Sequence, residues 1–228
     1  MHTAVIIVAA GDGVRMGAGT PKALIPLAGR PLVCWSLATF AAYPGISERI
    51  VVGPPGRLAE MSAAVASVDP DARVVPGGAT RAQSVGAGLV ALSDGIDRVL
   101  VHDAARPLVA SALIDDVVAA LNGAPGAVAA HRVADTLKRA TADFTIEATV
   151  DRSSLWAAET PQGFHLAALR AAYGQLSDAE IAAATDCASI LQAAGGRVVI
   201  VPSRAANLKV TTPADADIAA LFLMGRSR

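Results

Sequence analysis

Short runs of Val and Ile alternate with Ala- and Leu-rich amphipathic stretches along most of this 228-residue chain, and this alternation limits its fold more than any other feature. Strands that are apolar along their whole length need cover on both faces, which helices provide when they connect parallel strands. We therefore predict an α/β fold with a mainly parallel central sheet, a Rossmann-like three-layer α/β/α arrangement. The predicted strands are 4–9, 49–53, 73–75, 98–101, 127–130 and 197–201. The predicted helices are 31–42, 57–68, 82–93, 112–121, 167–173, 179–194 and 213–224.

One segment, residues 132–164, departs from this alternation. Alternating Thr, Ile and Val residues surround a polar turn near 141–143, which predicts a protruding β-hairpin arm that leaves the main sheet. An isolated two-stranded hairpin is marginally stable in water, so we expect the arm to pack against a second copy of the chain. The chain contains no linker long enough to divide it. We interpret residues 1–228 as one domain, with 132–164 as an extended arm.

A glycine-rich loop follows the first predicted strand, with the sequence Gly-Asp-Gly-Val-Arg-Met-Gly at residues 11–17. Small residues let backbone N–H groups close around phosphate oxygens. Arg15 and the nearby Lys22 would supply the positive charge that a reacting polyphosphate needs. The spacing differs from the Gly-x-Gly-x-x-Gly of dinucleotide-binding folds and from the P-loop motif. A plain strand-to-helix turn is the alternative interpretation.

A second glycine turn follows the third predicted strand, with Pro-Gly-Gly-Ala-Thr-Arg-Ala-Gln-Ser at residues 76–84. In open α/β sheets, ligands bind beyond the carboxyl ends of the strands, so this loop belongs to the same edge as the first. Its backbone amides can face a base or a phosphate, and Ser84 follows one turn into the helix. A plain turn with a solvated arginine would give the same pattern.

The segment His-Asp-Ala-Ala-Arg-Pro at residues 102–107 follows the fourth predicted strand. An aspartate at the end of a buried strand, next to an expected phosphate site, is a candidate Mg²⁺ ligand, so Asp103 is predicted to bind metal. Arg106 can hold a phosphate bidentately. A structural Asp–Arg pair would explain the motif nearly as often, and we interpret His102 as a structural residue of the core.

Further hydroxyl and basic residues follow other strands or turns, namely Thr136, Arg152, Thr160 and Lys209. The sequence contains no Cys/His/Asp cluster with metal-ligand spacing and no Gly-x-Ser-x-Gly nucleophile motif, so covalent catalysis is not indicated. These residues suit positioning and charge stabilisation, which are the main requirements of phosphoryl and nucleotidyl transfer.

Composition excludes several other classes of protein. Hydrophobic residues make up 53% of the chain and charged residues 17%, which is typical of a globular protein. The net charge of −1 argues against nucleic acid as a partner. No apolar run approaches the ~18 to 20 residues that span a bilayer, which argues against a membrane protein. Cys34 and Cys187 fit buried free thiols, and with no signal-peptide pattern we expect a cytoplasmic protein.

Taken together, several segments resemble one enzyme family in sequence and in order. These segments are Ala-Ala-Gly-x-Gly-x-Arg at 9–15, Pro-Lys at 21–22, Gly-Gly-x-x-Arg-x-x-Ser-Val at 77–85, Val-His-Asp-Ala-Ala-Arg-Pro at 101–107, Val-Asp-Arg at 150–152, Thr-Pro-Gln at 160–162 and Lys-Val-Thr at 209–211. Over residues 3–223 the chain is similar to the 2-C-methyl-D-erythritol 4-phosphate cytidylyltransferases of the non-mevalonate isoprenoid pathway. The glycine loop alone would indicate only the wider nucleotidyltransferase superfamily.

The resemblance implies that CTP and 2-C-methyl-D-erythritol 4-phosphate react to give 4-diphosphocytidyl-2-C-methyl-D-erythritol and pyrophosphate, with Mg²⁺ as the cofactor. The residues implied in CTP binding are Ala9, Ala10, Gly11, Gly13, Arg15, Lys22, Gly78, Ala79, Ser84 and Asp103. Those implied in substrate binding are Arg106, Thr136, Arg152, Thr160 and Lys209. The resemblance also implies that Arg15, Lys22 and Arg152 are catalytic. It further implies a homodimer, in which Arg152 on the arm would contribute to the site of the neighbouring subunit.

One position departs from the family pattern. Ala79 stands where an acidic residue is common, so a contact there would come from the backbone. Two alternatives remain open for function. One is a cytidylyltransferase for another polyol phosphate, such as ribitol 5-phosphate, and the other is a non-catalytic nucleotide-binding protein of the same fold.

Overall fold

Seven strands form one sheet at the centre of the structure, a computed structural model that describes residues 1–11 and 20–226. The strands within those residues are β1 (His2–Val8), β2 (Pro26–Leu27), β3 (Arg30–Pro31), β4 (Ile46–Gly53), β5 (Arg73–Pro76), β6 (Ile96–Asp103), β7 (Gly126–Arg132), β8 (Leu137–Ala140), β9 (Ile146–Val150), β10 (Trp156–His165) and β11 (Val198–Pro202). The α-helices there are α1 (Leu32–Ala41), α2 (Leu58–Ala66), α3 (Arg81–Ala91), α4 (Ser111–Ala120), α5 (Leu166–Gln175), α6 (Asp178–Ala183), α7 (Cys187–Ala193) and α8 (Pro213–Arg226).

The central sheet is mainly parallel, as the alternation of strands and helices predicts. Its strand order is β11-β7-β10-β6-β1-β4-β5. Only β10 runs against its neighbours, since it pairs antiparallel with both β6 and β7. The two short strands β2 and β3 pair with each other, as do β8 and β9, so neither pair joins the main sheet.

Helices cover both faces of the sheet, which confirms the three-layer arrangement. Alternate side chains of a strand point to opposite faces. Val5 and Ile7 of β1 belong to a core cluster with residues of α1, α2 and α4. Ala4 and Ile6 belong to a second cluster with residues of α3, α5 and α7. The terminal helix α8 packs in a third, smaller cluster that includes Leu108.

Local capping signals explain where several helices begin. Ser177 and Glu180 form a capping box at the start of α6, with the Ser-x-x-Glu spacing typical of this motif. The predicted helix 179–194 is nevertheless divided into α6 and α7. Asp186 begins α7 as its N-cap and accepts a hydrogen bond from the backbone N–H of Ser189 at 2.8 Å. The helix α6 ends at Ala183, because its C-cap Ala184 has extended backbone dihedrals, and Asp186 then caps the start of a new helix.

The predicted arm of residues 132–164 consists of two different parts. The first is an antiparallel hairpin of β8 and β9, whose turn is closed by a 2.9 Å hydrogen bond from the N–H of Thr141 to the carbonyl of Thr145. This turn lies where the sequence predicts it. The tip exposes Phe144 at 91% and Ile146 at 61% of their surface.

The second part corrects the predicted boundary of the arm, because residues 156–165 form β10 inside the main sheet. The pairing of β10 with β7 is irregular between Ala158 and Gln162. Proline cannot donate to a strand ladder, and Pro161 lies within this irregular stretch. The arm that lies outside the sheet is therefore shorter than predicted and begins and ends next to two neighbouring strands.

The sheet register places the loops after four strands at one edge. Val8 at the end of β1 pairs with Val52 of β4 on one side and with Asp103 of β6 on the other. Gly53, at the end of β4, pairs with Pro76 of β5. The segments that follow β1, β4, β5 and β6 therefore emerge side by side, which is the geometry that creates a ligand cleft.

Two further predictions concern the cysteines and membrane-spanning helices. Cys34 and Cys187 are buried and make no disulfide, as their apolar surroundings predict. Within residues 1–11 and 20–226, no helix has the combined length and hydrophobicity needed to cross a bilayer.

Candidate active site

A cleft of about 810 Å³ opens at this edge of the sheet. Its volume suits a nucleotide-sized ligand, since small-molecule sites typically occupy ~300 to 1,000 Å³. The described residues that line it are Val8, Ala9, Ala10, Gly11, Lys22, Ala23, Leu32, Pro55, Gly77, Gly78, Ala79, Thr80, Arg81, Ser84, Asp103, Ala104, Ala105, Lys209 and Thr211.

Two glycine loops meet at one wall of the cleft. A Cβ atom on Gly77 would lie 2.5 Å from the Cβ of Ala10 and 2.8 Å from Oγ of Ser84, closer than real Cβ atoms approach. The N–H of Gly77 donates to the carbonyl of Gly53 at 2.8 Å, which fixes the second loop to the sheet. Glycine is required here because the loop after β5 packs directly on the loop after β1.

The second loop is held in shape by two side chains. Thr80 is the N-cap of α3 and forms a capping box with Gln83. Ser84 Oγ donates to the carbonyl of Thr80 at 2.9 Å and accepts from the N–H of Gly78 at 3.2 Å. Ser84 is buried, with 2% of its surface exposed, and its hydroxyl maintains the loop whose residues 77–80 line the cleft.

Three charged side chains form a cluster among the residues that line the cleft. Arg81, the first residue of α3, donates from Nε to Asp103 Oδ1 at 3.0 Å, and its Nη2 lies 2.9 Å from the same oxygen. Lys209 donates from Nζ to Asp103 Oδ2 at 2.8 Å. Both carboxylate oxygens of Asp103 are therefore paired with a cation, and the cluster has a formal charge of +1 that faces the cleft.

Charge outweighs burial at this carboxylate. The side chain of Asp103 is 12% exposed, and burial alone raises the pKa of a carboxyl group. The positive charges of Arg81 and Lys209 have the opposite effect and hold the pKa of Asp103 well below its usual range. Asp103 is thus an anion at neutral pH, and its counter-ions are part of the same site.

A buried chain of hydrogen bonds fixes the backbone around Asp103. The N–H of Asp103 donates to Thr160 Oγ1 at 3.0 Å, and this hydroxyl lies 3.1 Å from His102 Nδ1. His102 Nε2 lies 3.1 Å from the carbonyl of Arg106. A neutral ring with its proton on Nε2 satisfies both contacts. Burial lowers the pKa of His102 to about 4, so the ring is uncharged at neutral pH and structural, as predicted.

Arg106 anchors the segment that carries Lys209. Its Nη1 donates to the carbonyl of Asn207 at 2.7 Å, and its Nη2 to the carbonyl of Ala158 at 3.4 Å. Burial lowers the pKa of Arg106, although an arginine remains charged in proteins. Asn207 in turn donates to Glu159 Oε2 at 2.8 Å. These buried contacts position Lys209 two residues further on.

The structure brings together most of the residues predicted to bind CTP. Nine predicted site residues line the cleft: Ala9, Ala10, Gly11, Lys22, Gly78, Ala79, Ser84, Asp103 and Lys209. Gly13 and Arg15 lie outside the described residues, so their predicted roles are not addressed.

Four predicted substrate-binding residues are not among those that line the cleft of this chain. The side chains of Arg106 and Thr160 are buried and bonded to their surroundings, as described above. Thr136 and Arg152 lie at the two ends of the hairpin and are exposed. The substrate contacts predicted for these four residues stay predictions.

Arg81 lines the cleft and pairs with Asp103, but sequence reasoning did not name it as a site residue. Its alternative interpretation, a solvated arginine in a plain turn, does not describe a side chain that pairs with Asp103 across 22 positions in sequence. A signal was present, because an aspartate that ends a buried strand requires a counter-ion. An arginine in another strand-end loop at the same edge of the sheet, such as Arg81, is a candidate for that counter-ion.

The cleft offers a limited set of donors for a divalent metal. Among the described lining residues, Asp103 is the only carboxylate. Within the described part of the chain, no three or more His, Cys, Asp or Glu residues are grouped so that they could hold a metal ion. Mg²⁺ often binds through one or two carboxylates, water and substrate phosphates, without a complete protein cage. This donor set therefore fits an Mg²⁺ that enters with a polyphosphate.

Comparison with known proteins agrees with this geometry. The family model of 2-C-methyl-D-erythritol 4-phosphate cytidylyltransferase (IspD) matches residues 3–225. A 2-C-methyl-D-erythritol 4-phosphate cytidylyltransferase of Synechococcus sp. is 44% identical over 228 residues, covering 99% of this chain and 97% of the relative.

Solved structures give the same result. The crystal structure of 2-C-methyl-D-erythritol 4-phosphate cytidylyltransferase from Thermus thermophilus superposes with a TM-score of 0.79 at 32% identity, over 98% of this chain and 100% of that one. A 4-diphosphocytidyl-2C-methyl-D-erythritol synthase from Anaerococcus prevotii superposes with a TM-score of 0.83 at 26% identity, over 98% of both chains. These matches confirm the resemblance seen in the loops, and the chain belongs to the 2-C-methyl-D-erythritol 4-phosphate cytidylyltransferase family.

Proposed function

We propose that this chain joins CTP to 2-C-methyl-D-erythritol 4-phosphate, giving 4-diphosphocytidyl-2-C-methyl-D-erythritol and pyrophosphate. The observation that carries the proposal is the cleft itself, which is lined by two glycine loops and by the Arg81–Asp103–Lys209 cluster. The loops suit the nucleotide, and the cluster suits an anionic acceptor. An oxygen of the acceptor's phosphate attacks the α-phosphate of CTP in line, and the bond to the pyrophosphate leaving group breaks.

The loop after β5 is the proposed site of the cytosine base. Its backbone from Gly77 to Thr80 is fixed by Ser84, so carbonyl and N–H groups keep constant positions along one wall. Backbone groups at fixed positions can recognise the edge of a base by hydrogen bonds. The side chain at position 79 is a methyl group, which leaves the backbone as the source of polar contacts there.

The triphosphate is proposed to bind across Ala9, Ala10 and Gly11, beside Lys22. Lys22 begins the short 3₁₀ turn Lys22–Leu24 and lines the cleft. A cation at this position stabilises the charge that develops on the phosphates as pyrophosphate leaves. The same role is proposed for Arg15.

No general base is required for this reaction. A phosphate monoester has a second pKa of about 6 and is mostly a dianion at neutral pH, so its oxygen is already a nucleophile. His102 is buried, uncharged and occupied by hydrogen bonds at both ring nitrogens, so it does not serve as the base. The main difficulty is repulsion between two anions, which the cations of the cleft reduce.

Mg²⁺ is the proposed cofactor, with Asp103 as the residue that would hold it. When bound, the ion would neutralise phosphate charge and polarise the phosphate under attack. The chain's own contribution is to hold Asp103 through Arg81 and through the hydrogen bond from its backbone to Thr160.

We also propose a homodimer in which the arm of one subunit reaches the cleft of the other. Phe144 and Ile146 expose large apolar side chains at the tip of the hairpin. The side chain of Arg152 has no hydrogen bond or ion pair within residues 1–11 and 20–226, although it is the predicted acceptor ligand. A partner's cleft would give this guanidinium an anion. We also propose a cytoplasmic location, in keeping with the buried free thiols of Cys34 and Cys187.

A pyrophosphate-release assay tests the proposed reaction. Purified protein is assayed with each of CTP, ATP, GTP and UTP, and with methylerythritol phosphate, ribitol 5-phosphate and a sugar 1-phosphate as acceptors, with Mg²⁺. We expect rapid release only with CTP and methylerythritol phosphate. An equal rate with ribitol 5-phosphate would replace the proposed acceptor. Binding of CTP with no release for any acceptor would favour a non-catalytic protein.

A further inference from the structure

The two cations that pair with Asp103 are held in very different ways. Arg81 extends from the first turn of α3, which is fixed by the capping box of Thr80. Its guanidinium makes two contacts to Oδ1, at 3.0 and 2.9 Å. Behind it, Nη1 lies 3.7 Å from Sγ of the fully buried Cys187. Arg81 is thus enclosed on several sides, and 24% of its side chain is exposed.

Lys209 has much more freedom. It belongs to the segment 203–212, which has no helix or strand, and 43% of its side chain is exposed. It makes one contact to Oδ2 of Asp103, at 2.8 Å. A flexible four-carbon stem that ends in a hydrated ammonium exchanges partners more easily than an enclosed guanidinium. Of the two counter-ions, Lys209 is the one that can leave.

We propose that Arg81 is a positioning residue that keeps the Asp103 carboxylate paired and in place, so that Lys209 can move from Oδ2 to an anionic acceptor. This inference rests on the proposed function for the identity of the acceptor. The release of Lys209 also exposes Oδ2 to the ligands in the cleft. Arg81 acts through Asp103 and Lys209, without itself being assigned a reacting atom.

The physical reason is the cost of an unpaired buried charge. With Arg81 present, the departure of Lys209 leaves Asp103 with a counter-ion on Oδ1. Without Arg81, the same movement would leave a carboxylate that is 12% exposed with no ion-pair partner among the described residues. Such a charge is strongly destabilising. Lys209 would therefore stay on Asp103, and the acceptor would lose a cation.

Steady-state kinetics with CTP and methylerythritol phosphate test this role. Arg81→Gln should raise the acceptor KM about tenfold or more, because Lys209 is retained by Asp103. The KM for CTP should change by less than about threefold. Arg81→Lys retains a cation and should restore most of the acceptor KM. An unchanged acceptor KM, or equal defects in the Gln and Lys variants, would overturn the proposal.

Arg49→Gln is the matched control. Arg49 forms an ion pair with Asp69 in which the two side chains are 15% and 6% exposed, and neither residue lines the cleft. Its loss should lower the Tm, as the loss of any buried pair does, and leave the acceptor KM unchanged. A similar rise in the acceptor KM for both variants would mean that Arg81 acts only through general stability, contrary to the proposal.

Two measurements separate this proposal from the proposed function, since neither needs turnover. Inorganic phosphate is titrated into each protein by calorimetry, and Arg81→Gln should bind it about tenfold more weakly than the unsubstituted protein. The Tm of Arg81→Gln, Lys209→Gln and the double variant gives a double-mutant cycle, and the double variant should lose more than the sum of the singles. Unchanged phosphate affinity, no binding to the unsubstituted protein, or additive Tm losses would each contradict the role of Arg81, even if the enzyme proves active.

Discussion

The cleft and the hairpin arm carry similar residues in opposite surroundings. In the cleft, Asp103 is nearly enclosed and both of its oxygens are paired. On the arm, Asp143 and Asp151 are exposed and receive hydrogen bonds only from their own turns. The cleft is thus organised within one chain, whereas the arm has exposed charge and apolar surface without an opposing wall. Under the proposed homodimer, the cleft is formed within one chain, whereas the arm would contribute to a site only through a partner.

The largest effect is expected when Lys22 is removed from the cleft. Lys22→Ala should lower kcat by ~10²-fold or more with a modest change in CTP affinity, because it removes a cation that stabilises the leaving phosphates. Lys138→Ala is the control on the arm, where Nζ donates to Thr149 Oγ1 at 2.6 Å. Steady-state kinetics should show little change for Lys138→Ala. Near-normal turnover in Lys22→Ala would remove Lys22 from the catalytic residues.

The next effect tests whether the arm completes a partner's site. Arg152→Ala should lower turnover about 10²-fold without lowering the Tm, because this exposed side chain supports no other described residue. Mixing inactive Arg152→Ala and Lys22→Ala subunits should then recover activity, since about a quarter of the sites in a random mixture of two-fold dimers carry neither substitution. No recovery after subunit exchange would indicate that Arg152 acts within its own chain.

A smaller effect is expected on the pH dependence of stability, which should differ between the cleft and the arm. Asp103→Asn should lower the free energy of unfolding at pH 7 by about 2 kcal/mol, because charged hydrogen bonds are lost. The folded pKa of Asp103 is depressed, so its stabilisation exists above the unfolded pKa of about 4 and declines as pH falls below it. The difference between the two proteins should narrow below about pH 4. Asp143→Asn should leave denaturation curves unchanged. A loss of about 2 kcal/mol in that variant would contradict the difference between the enclosed carboxylate of the cleft and the exposed one of the arm.

The smallest effect concerns the tip of the arm. Phe144 has a φ of 64°, in the left-handed region, although 91% of its surface is exposed. Replacing it with glycine should relieve strain of about 1 kcal/mol and raise the stability of an isolated subunit. If the tip contacts a partner, sedimentation should show weaker self-association for the same variant. Unchanged self-association would separate the tip from the subunit interface.

Much of the fold and of the cleft could be predicted because both follow from the periodicity of the strands. Apolar strands joined by helices imply a parallel sheet, and a parallel sheet places its strand-end loops at one edge. The two glycine loops and Asp103 are predicted in this way, as residues that follow predicted strands. No knowledge of long-range contacts was needed, because each loop is recognised by the strand before it.

The rest depended on contacts that local pattern does not contain. Residues 156–164 are part of the predicted arm, because the local pattern does not show that they pair with β6 and β7 in the main sheet. The pair of Arg81 and Asp103 joins two loops that are distant in sequence. The buried state of Arg106 and Thr160 follows from how β10 and the segment before α8 pack together.

The insertion of β10 between β6 and β7 has a mechanical consequence. This strand begins at Trp156, beside the base of the hairpin, and reaches Thr160, whose hydroxyl receives the N–H of Asp103. Four residues of strand span about 13 Å. The base of the hairpin is therefore joined to the backbone of Asp103 by a short covalent segment of β10 and one hydrogen bond. In the proposed homodimer, a shift of the hairpin base would reach the backbone of Asp103 through this short segment.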